Sequence, residues 1–596
     1  MNKSAVLHIP KSQYAFPLSE HRFVVRIRAA KGDLDKCTLL YGDRAFPRTP
    51  VEFTRVQMKI GYSTGLFDIF EYVIDDCPSR LCYLFELESG TDKVLYYADR
   101  FHRLGGDREL SGGILLEGRS EYYQYPVILR DEIPGEPRWF KDSVVYNIFP
   151  DSFADGRRHI SENENKRKTY TDERGLCHKS VHGGTIKGIT ENLDYIKGMG
   201  FNCVYLNPIF SAGEYHRYDT LDYYHIDPIL GTDNDLAELV DTAHSLDMHV
   251  IIDGVFNHCS WYHPFFDDVV KNGSSSKYAD WFYEVSYPVE RPDTDEQKPT
   301  YACFAYERKM PKLNTSNKAV QDYFAGVGSY WVRKYHIDGW RLDVANEIDR
   351  NFWRVFRRAV KDADPEAVLI GEIWENAQDW LLGDMVDSTM NYDFRNICRD
   401  FFALDLTDEE SFSDSVTEMV LRYPSQIVRG QLNLLDSHDV ARFLSLCNGD
   451  VHKWKCAAAF LYMMPGVPDI FYGDEKNIAG TDENGYRNAM DWDETDDDSE
   501  ENFIKNLADI RKRYIDPDDR MNIKGDDKNH LVCLKRSGRH TFYGIFCKGT
   551  ITIGDAVNFA VGTRDTESDR GYSILASDNI FGGIMRENSF VVIEMR

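Results

Sequence analysis

Residues 338–347 read DGWRLDVANE. Trp340, Leu342 and Val344 alternate as the apolar side of a buried strand, which puts Arg341 and Asp343 on its other side. A cation and a carboxylate two residues apart on one strand face form either a structural ion pair or part of a reactive centre. Other strand-like runs end in the same residue types. Asp253 and His258 bound DGVFNH, Glu372 stands in GEIW, and His438 and Asp439 close LLDSHD. If Asp343, Glu372 and Asp439 converge, they cannot all ionise cheaply, and their pKa values are pushed apart. Glycosidic-bond cleavage uses such a set. One carboxylate attacks the anomeric carbon while a second, protonated, donates to the leaving oxygen, about 5–5.5 Å away in a retaining enzyme. A third can stabilise the positive charge of the transition state. Arg341 is expected to keep Asp343 ionised and to lower its pKa. His258 and His438 can serve as neutral donors to sugar hydroxyls. Tyr218, in HRYDTLDYYHIDP, can stack on a sugar ring. Each of these three is as readily a packing residue, and the gathering at strand ends carries the functional reading.

The elements that must position these residues follow from periodicity. Between about 140 and 500, short apolar runs alternate with helical stretches. VVYNIFP, CVYLNPI, MHVIIDGVFNH, IDGWRLD, AVLIGEIW, STMNYDF, QLNLLDSHD and PDIFYGDE give eight candidate strands in βα order. Repeated βαβ units imply a parallel sheet, and eight of them predict a closed (β/α)₈ barrel, a TIM barrel. The carboxyl ends of its strands form the face that carries active sites. The stretch after DGVFNH is too long for an ordinary loop and predicts an inserted subdomain over about 259–315. Residues 1–122 hold short alternating strands with frequent turns, the pattern of a β-sandwich. A proline-containing linker follows, the barrel region runs over 135–505, and strand-like runs over 506–596 predict a C-terminal β-sandwich domain.

Composition narrows the partners. The chain of 596 residues carries a net charge of −28. That balance excludes a nucleic-acid partner and disfavours an anionic membrane, and it suits a neutral substrate. The 12 cysteines form no CxxC pair, and the start of the chain, MNKSAVLHIPKSQYAF, has no apolar core of a secretory signal. Reduced thiols and a cytoplasmic location are expected. The acidic run DWDETDDDSEEN reads as a solvated loop rather than a metal site.

The middle of the chain resembles glycoside hydrolase family 13, the α-amylase family. The matching segments are DGVFNH (253–258), GWRLDVANE (339–347), GEIW (371–374) and LLDSHD (434–439), supported by GVPDIFYGDE (466–475). MPKLN (310–314), VANE (344–347) and the N-terminal LLYGD are similar to the neopullulanase, cyclomaltodextrinase and maltogenic amylase subgroup. The resemblance implies a retaining hydrolase of α-1,4-glucosidic bonds in cyclodextrins, maltooligosaccharides, pullulan or starch, with transglycosylation. It implies Asp343 as nucleophile, Glu372 as acid/base and Asp439 as transition-state stabiliser. It places Arg341, His258 and His438 around the −1 sugar, Tyr218 as the stacking aromatic and Asp253 as a carboxylate behind the site. It places Trp374 and Glu347 at the acceptor side. Relatives often carry an acidic calcium loop after the first barrel strand. Here FADGRRHISENENKRK has Arg157 where a ligand would stand, which opposes calcium. No cofactor is expected to be required, and no metal ligand is assigned. Glu375 occupies a position where relatives have histidine. The expected partners are neutral α-glucan oligosaccharides and a second copy of the chain, joined through the N-terminal domain. The competing readings are a non-catalytic amylase-like scaffold, or a glucan transferase or isomerase on the same fold.

Overall fold

The computed structural model describes residues 1–45, 51–103, 122–130, 133–135, 137–158, 160, 168–173, 175–294, 296–492, 499–562 and 571–595. Eight strands close into a parallel barrel: β1 (Val145–Ile148), β2 (Cys203–Leu206), β3 (His249–Gly254), β4 (Gly339–Leu342), β5 (Val368–Gly371), β6 (Ser388–Asn391), β7 (Leu432–Leu434) and β8 (Val467–Phe471). These are the eight runs expected from the periodicity.

Alternation along each strand decides what fills the lumen. Val145, Tyr205, Ile251, Val368, Ile370, Leu432, Leu434 and Val467 form one buried cluster, which Phe140 from the preceding 3₁₀ turn joins. The same parity, carried two residues onward, reaches Asp253 on β3 and Glu372 just past β5. On β4 it reaches Arg341 and then Asp343. The opposite parity faces the helical layer. Trp340 lies fully buried against Phe210, Phe256 and Phe356, and its indole donates to the Gly328 carbonyl. Gly328 is required there, because a Cβ would stand 2.5 Å from the Phe356 ring. Val344 was expected to continue the alternation. It does not: β4 ends at Leu342, and Val344 sits in a left-handed turn at φ 45°.

Helices between the strands are capped from within the sequence. Thr232 and Asp235 form a capping box on Asp233–Ser245, and Asp349 accepts from the Asn351 and Phe352 amides at the start of Arg350–Ala363. The long stretch after β3 holds the helix Pro264–Asn272 and a hairpin of Cys303–Phe304 with Glu307–Pro311.

The N-terminal strands make two antiparallel sheets. One orders Ala15–Ser19, Arg22–Ala30, Phe67–Ile74 and Lys59–Ser63; the other is built around Lys36–Asp43 and Leu81–Ser89. Both contribute to one core, Val25, Ile27 and Phe70 from the first and Leu39, Leu84 and Phe85 from the second. By compactness, residues 1–135 group with 407–428 and 522–534, and the remaining residues form a second unit. Within the first unit, Asp414 of the helix Glu409–Leu421 accepts from the Gly65 amide, and Gln426 donates to the Pro17 carbonyl. Near the C-terminus, Thr541–Cys547 pairs antiparallel with Ile584–Met595, which also pairs with Tyr572–Phe581 and Ile551–Thr552. Among the described residues, no helix is long and apolar enough to cross a membrane.

Asp469 is a carboxylate among the lumen residues. Asp469 of β8 is 2% exposed, and its carboxylate accepts one long hydrogen bond, 3.5 Å from Asn147 Nδ2. Burial raises its pKa well above the carboxylate range. A group raised in the folded state holds its proton there more tightly than in the unfolded chain. Its stabilisation is therefore complete below the unfolded value near ~4 and is lost as pH rises toward the folded value. Asp469→Asn removes that titration. It should raise the melting temperature more at pH 8 than at pH 5, with a gain of about 1 kcal/mol or more at pH 8. A variant less stable than the wild type at pH 8 would overturn this account.

Candidate active site

Register brings Arg341 directly beside Asp253 on the neighbouring strand. The Arg341 side chain is fully buried, and its two terminal nitrogens serve four carboxylates. Nη1 donates to both oxygens of Asp253 at 3.0 Å and to Asp343 Oδ1 at 2.8 Å. Nη2 lies 2.9 Å from Glu372 Oε2 and 3.6 Å from Asp439 Oδ2. The backbone ladder fixes the same geometry: the Asp343 amide donates to the Gly254 carbonyl and the Glu372 amide to the Leu342 carbonyl.

The acids differ in their surroundings. Asp343 uses Oδ1 on Arg341, while Oδ2 is buried with no partner among the described residues. Burial raises its pKa well above the usual range. Arg341 opposes the rise, and Glu372, Asp253 and Asp439 reinforce it. The expectation that Arg341 would lower the Asp343 value is thereby corrected: one guanidinium divided among four carboxylates does not offset their mutual repulsion and desolvation. For Asp439 burial also works upward, but His438, Arg341 and Arg487 outweigh it and hold the carboxyl below its ordinary value. The environment thus separates two of the acids, as their crowding predicted.

Glu372 is clamped from three sides. Besides Arg341, Oε2 accepts from the Val344 amide at 2.9 Å, and Oε1 accepts from the Trp374 indole at 3.0 Å. A β-branched residue in the left-handed region is strained. The strain at Val344 turns its amide onto Glu372. Trp374 lies flat on Tyr392, 3.6 Å between centroids, and stays 46% exposed. It therefore holds Glu372 and also offers a face at the mouth.

A second set supports the floor. Tyr205 and Tyr218 donate to Asp253 Oδ2, at 2.9 and 3.2 Å. The Tyr218 hydroxyl also bonds His438 Nε2, and the two rings stack. Asn207 donates to His438 Nδ1 at 2.9 Å, which leaves the imidazole proton on Nε2, 3.1 Å from Asp439 Oδ2. His258 stacks on Phe304 of the inserted hairpin. Burial and the Lys312 ammonium lower its pKa to about 3, so the ring is neutral. Glu347 is half exposed and paired with Lys312 at 2.9 Å.

A cavity of about 840 Å³ opens over this floor, lined by Tyr218, His258, Asp343, Glu372, Trp374 and Asp439 among others. Glu347 also lines it. Arg341, Asp253 and His438 lie beneath, in contact with the lining residues. All ten residues singled out from the sequence are therefore brought together. Sequence reasoning missed Arg487, which lines the cavity, lies 3.7 Å from Asp439 Oδ1, donates to the His438 carbonyl and pairs with Glu483. It stands in a stretch with no periodicity, and no local signal marks it. Tyr205 and Asn207, one on β2 and the other one residue past it, were legible only as strand residues. Arg157 pairs with Asp194 at the surface, while residues 159 and 161–167 of that segment and 493–498 of the acidic run lie outside the described residues. Among the described residues, no group of three or more His, Cys, Asp or Glu side chains is arranged to hold a metal ion.

A parallel eight-stranded barrel with a buried acid pair at its carboxyl mouth has the form of a barrel glycosidase. Comparison with known proteins is more specific. Residues 147–530 match the α-amylase catalytic domain, and residues 1–108 the α-amylase N-terminal Ig-like domain. The cyclomaltodextrinase of Thermoanaerobacter pseudethanolicus is 38% identical over 515 residues, 86% of each chain. Neopullulanase 2 of Thermoactinomyces vulgaris is 37% identical over 515 residues, 85% of this chain and 84% of that one. A solved cyclomaltodextrinase structure superposes with a TM-score of 0.85 at 31% identity, covering 100% of both chains. The chain belongs to the α-amylase family.

Arg341 also bears on folding. Arg341→Met would leave its buried carboxylates without their cation, a loss of about 3–5 kcal/mol for a buried pair. The deficit should shrink as pH falls and the carboxyls take up protons, so the melting temperatures of variant and wild type should converge toward pH 4. A variant equally stable at pH 8 would show that the cluster is held by other contacts.

Proposed function

We propose that the protein is a retaining α-glucan hydrolase of the cyclomaltodextrinase and neopullulanase type, acting on α-1,4 bonds of cyclodextrins, maltooligosaccharides, pullulan or starch. The observation that carries this reading is that Asp343, through Oδ1, and Glu372 are held on the two terminal nitrogens of one guanidinium, while Asp343 Oδ2 is left without a hydrogen-bond partner among the described residues. Two carboxyl groups that share one guanidinium support double displacement, whose acids stand about 5–5.5 Å apart, over an inverting pair at about 6.5–9.5 Å.

In the first step Asp343 Oδ2 attacks the anomeric carbon. The glycosidic C–O bond breaks as Glu372 gives its proton to the leaving oxygen. A glycosyl ester on Asp343 results. Glu372, now a carboxylate, takes a proton from water or from an acceptor hydroxyl. The oxygen so activated attacks the anomeric carbon and releases Asp343. The crowded acids share protons as a group, and the productive state places one on Glu372 and none on Asp343. Asp439 stabilises the oxocarbenium-like charge. Arg341, His258 and His438 surround the reacting sugar, Tyr218 stacks on it, and Asp253 braces Arg341 and Tyr218. The exposed Trp374 and Glu347 can seat an acceptor sugar, which supports transglycosylation.

Among the described residues no cysteine is assigned to a disulfide, which supports a reducing, cytoplasmic setting. No cofactor enters the proposed steps. A non-catalytic scaffold would not need the strained, acid-rich mouth.

Asp343→Asn should lower turnover of β-cyclodextrin by roughly three orders of magnitude or more, with the melting temperature unchanged or raised. The anomeric configuration of fresh product, read by NMR, should be retained. Near wild-type turnover, or inversion, would refute the assignment. Chromatography of maltotriose products should reveal longer transfer products alongside glucose and maltose. We also propose a homodimer joined through the N-terminal strands, where Ile60 and Leu66 are 52% and 71% exposed. Light scattering at micromolar protein should give twice the chain mass of 68.9 kDa, and the monomer mass would sink the idea.

A further inference from the structure

Lys312 is the lysine of MPKLN and leaves the hairpin of the inserted subdomain. Its backbone bridges to His258, and its ammonium reaches three other groups. It donates to Asn257 Oδ1, to the Glu347 carboxylate at 2.9 Å and to the Glu347 carbonyl at 3.3 Å. Only 17% of the side chain is exposed.

The chemistry of these partners settles an orientation. An ammonium only donates. The Asn257 atom against it must therefore be the carbonyl oxygen, and the amide nitrogen is left 3.3 Å from His258 Nδ1. That NH₂ also only donates, so Nδ1 is the acceptor. A neutral imidazole then carries its proton on Nε2. This atom is buried with no hydrogen-bond partner among the described residues, on a side chain that lines the cavity.

The geometry points to Lys312 as a positioning residue that, through the Asn257 amide, fixes the His258 proton on Nε2 as a donor to a hydroxyl of the bound sugar. The proposal rests on the reading of the cavity as an α-glucan site. Lys312 never touches the sugar in this account; it acts through Asn257. The other groups around His258 are consistent with a neutral ring. Asp343, His216 and Tyr218 line the same cavity, and the Tyr223 hydroxyl donates to the His258 carbonyl. Burial and neighbouring cations lower the pKa of His216 to about 3, and the Tyr218 carbonyl supports a proton on the His258 ring.

The test uses the full chain with three substitutions and two readouts. Histidine ¹⁵N NMR, with His258 assigned by its loss in His258→Gln, reports the tautomer. The pH profile of kcat/KM on maltotriose reports the consequence. The wild type should show one neutral Nε2–H form from pH 5 to 8. Lys312→Met should give mixed tautomers and move the acid limb upward by about half a pH unit or more. Lys312→Arg should restore both. Asn257→Asp turns the relay's donor into an acceptor. It should transfer the proton to Nδ1 and lower kcat/KM roughly tenfold or more, the worth of one hydrogen bond to the sugar. A lower melting temperature with tautomer and acid limb unmoved in both Lys312→Met and Asn257→Asp would overturn the proposal. If the wild type cleaves no glucan, the functional reading fails while the spectra still decide the tautomer.

Discussion

One guanidinium shared by four carboxylates governs the rest of the molecule. Arg341 is always charged, planar and rich in donors, so it can bind several carboxylates at once in a dry lumen. Three hydrogen bonds to Asp253 and Asp343 and a 2.9 Å contact to Glu372 fix three acids from three different strands. A single cation cannot neutralise four carboxylates, so the cluster must retain protons. That shortage, rather than the arginine itself, pushes Asp343 upward while Asp439, nearer His438 and Arg487, is pushed downward. The barrel is the frame that tolerates such crowding, because every strand is held by neighbours on both sides. The cluster sits where the apolar lumen ends.

Around that centre the supports are of two kinds. Backbone groups act where precision matters most: the Val344 amide on Glu372 and the Gly254 carbonyl under the Asp343 amide. Side chains act where a proton must be placed. Asn207 and Asn257 each present an NH₂ to the Nδ1 of a mouth histidine, at 2.9 and 3.3 Å. The two histidines are therefore prepared in the same way from opposite sides of the barrel, each with its proton on Nε2. His438 uses its proton on Tyr218 and Asp439, whereas the His258 Nε2 has no hydrogen-bond partner among the described residues.

Much of this was legible in the sequence, and the reason is local. Period-2 alternation marks Ile251 and Asp253, or Val368, Ile370 and Glu372, as one face without any knowledge of the partner strands. The eight strands, the inserted segment and the three acids at strand ends follow from that. What failed to show was set by contacts distant in sequence. Arg487 reaches Asp439 from a stretch with no repeat. The helix Glu409–Leu421 groups with the N-terminal strands through Asp414 and Gly65, 349 positions apart. The Asp343 pKa was misjudged because the sequence displays the arginine two residues away and hides the three carboxylates that compete for it. Val344 looked like a strand residue because its side chain suits one, and its left-handed turn is imposed by the need to aim an amide at Glu372.

The same competition explains why the site cannot be read as a stability element. A buried ion pair replaced by apolar residues of similar size is often no less stable, whereas a buried charge stripped of its partner is strongly destabilising. Asp343 with an unpartnered oxygen and a raised pKa, and Val344 with a positive φ, both oppose folding. Neither helps the barrel close, since the lumen cluster below already does so. Their common feature is that each leaves an atom without a fold-building role: Oδ2 of Asp343 has no hydrogen-bond partner among the described residues, and the Val344 amide is spent on the Glu372 carboxyl. Folding alone would select a hydrophobe at the first position and a conformationally relaxed residue at the second. Retaining both makes sense only if the loss is recovered when a sugar enters, displaces the need for a proton on Asp343, and receives the carboxylate that Arg341 has been holding.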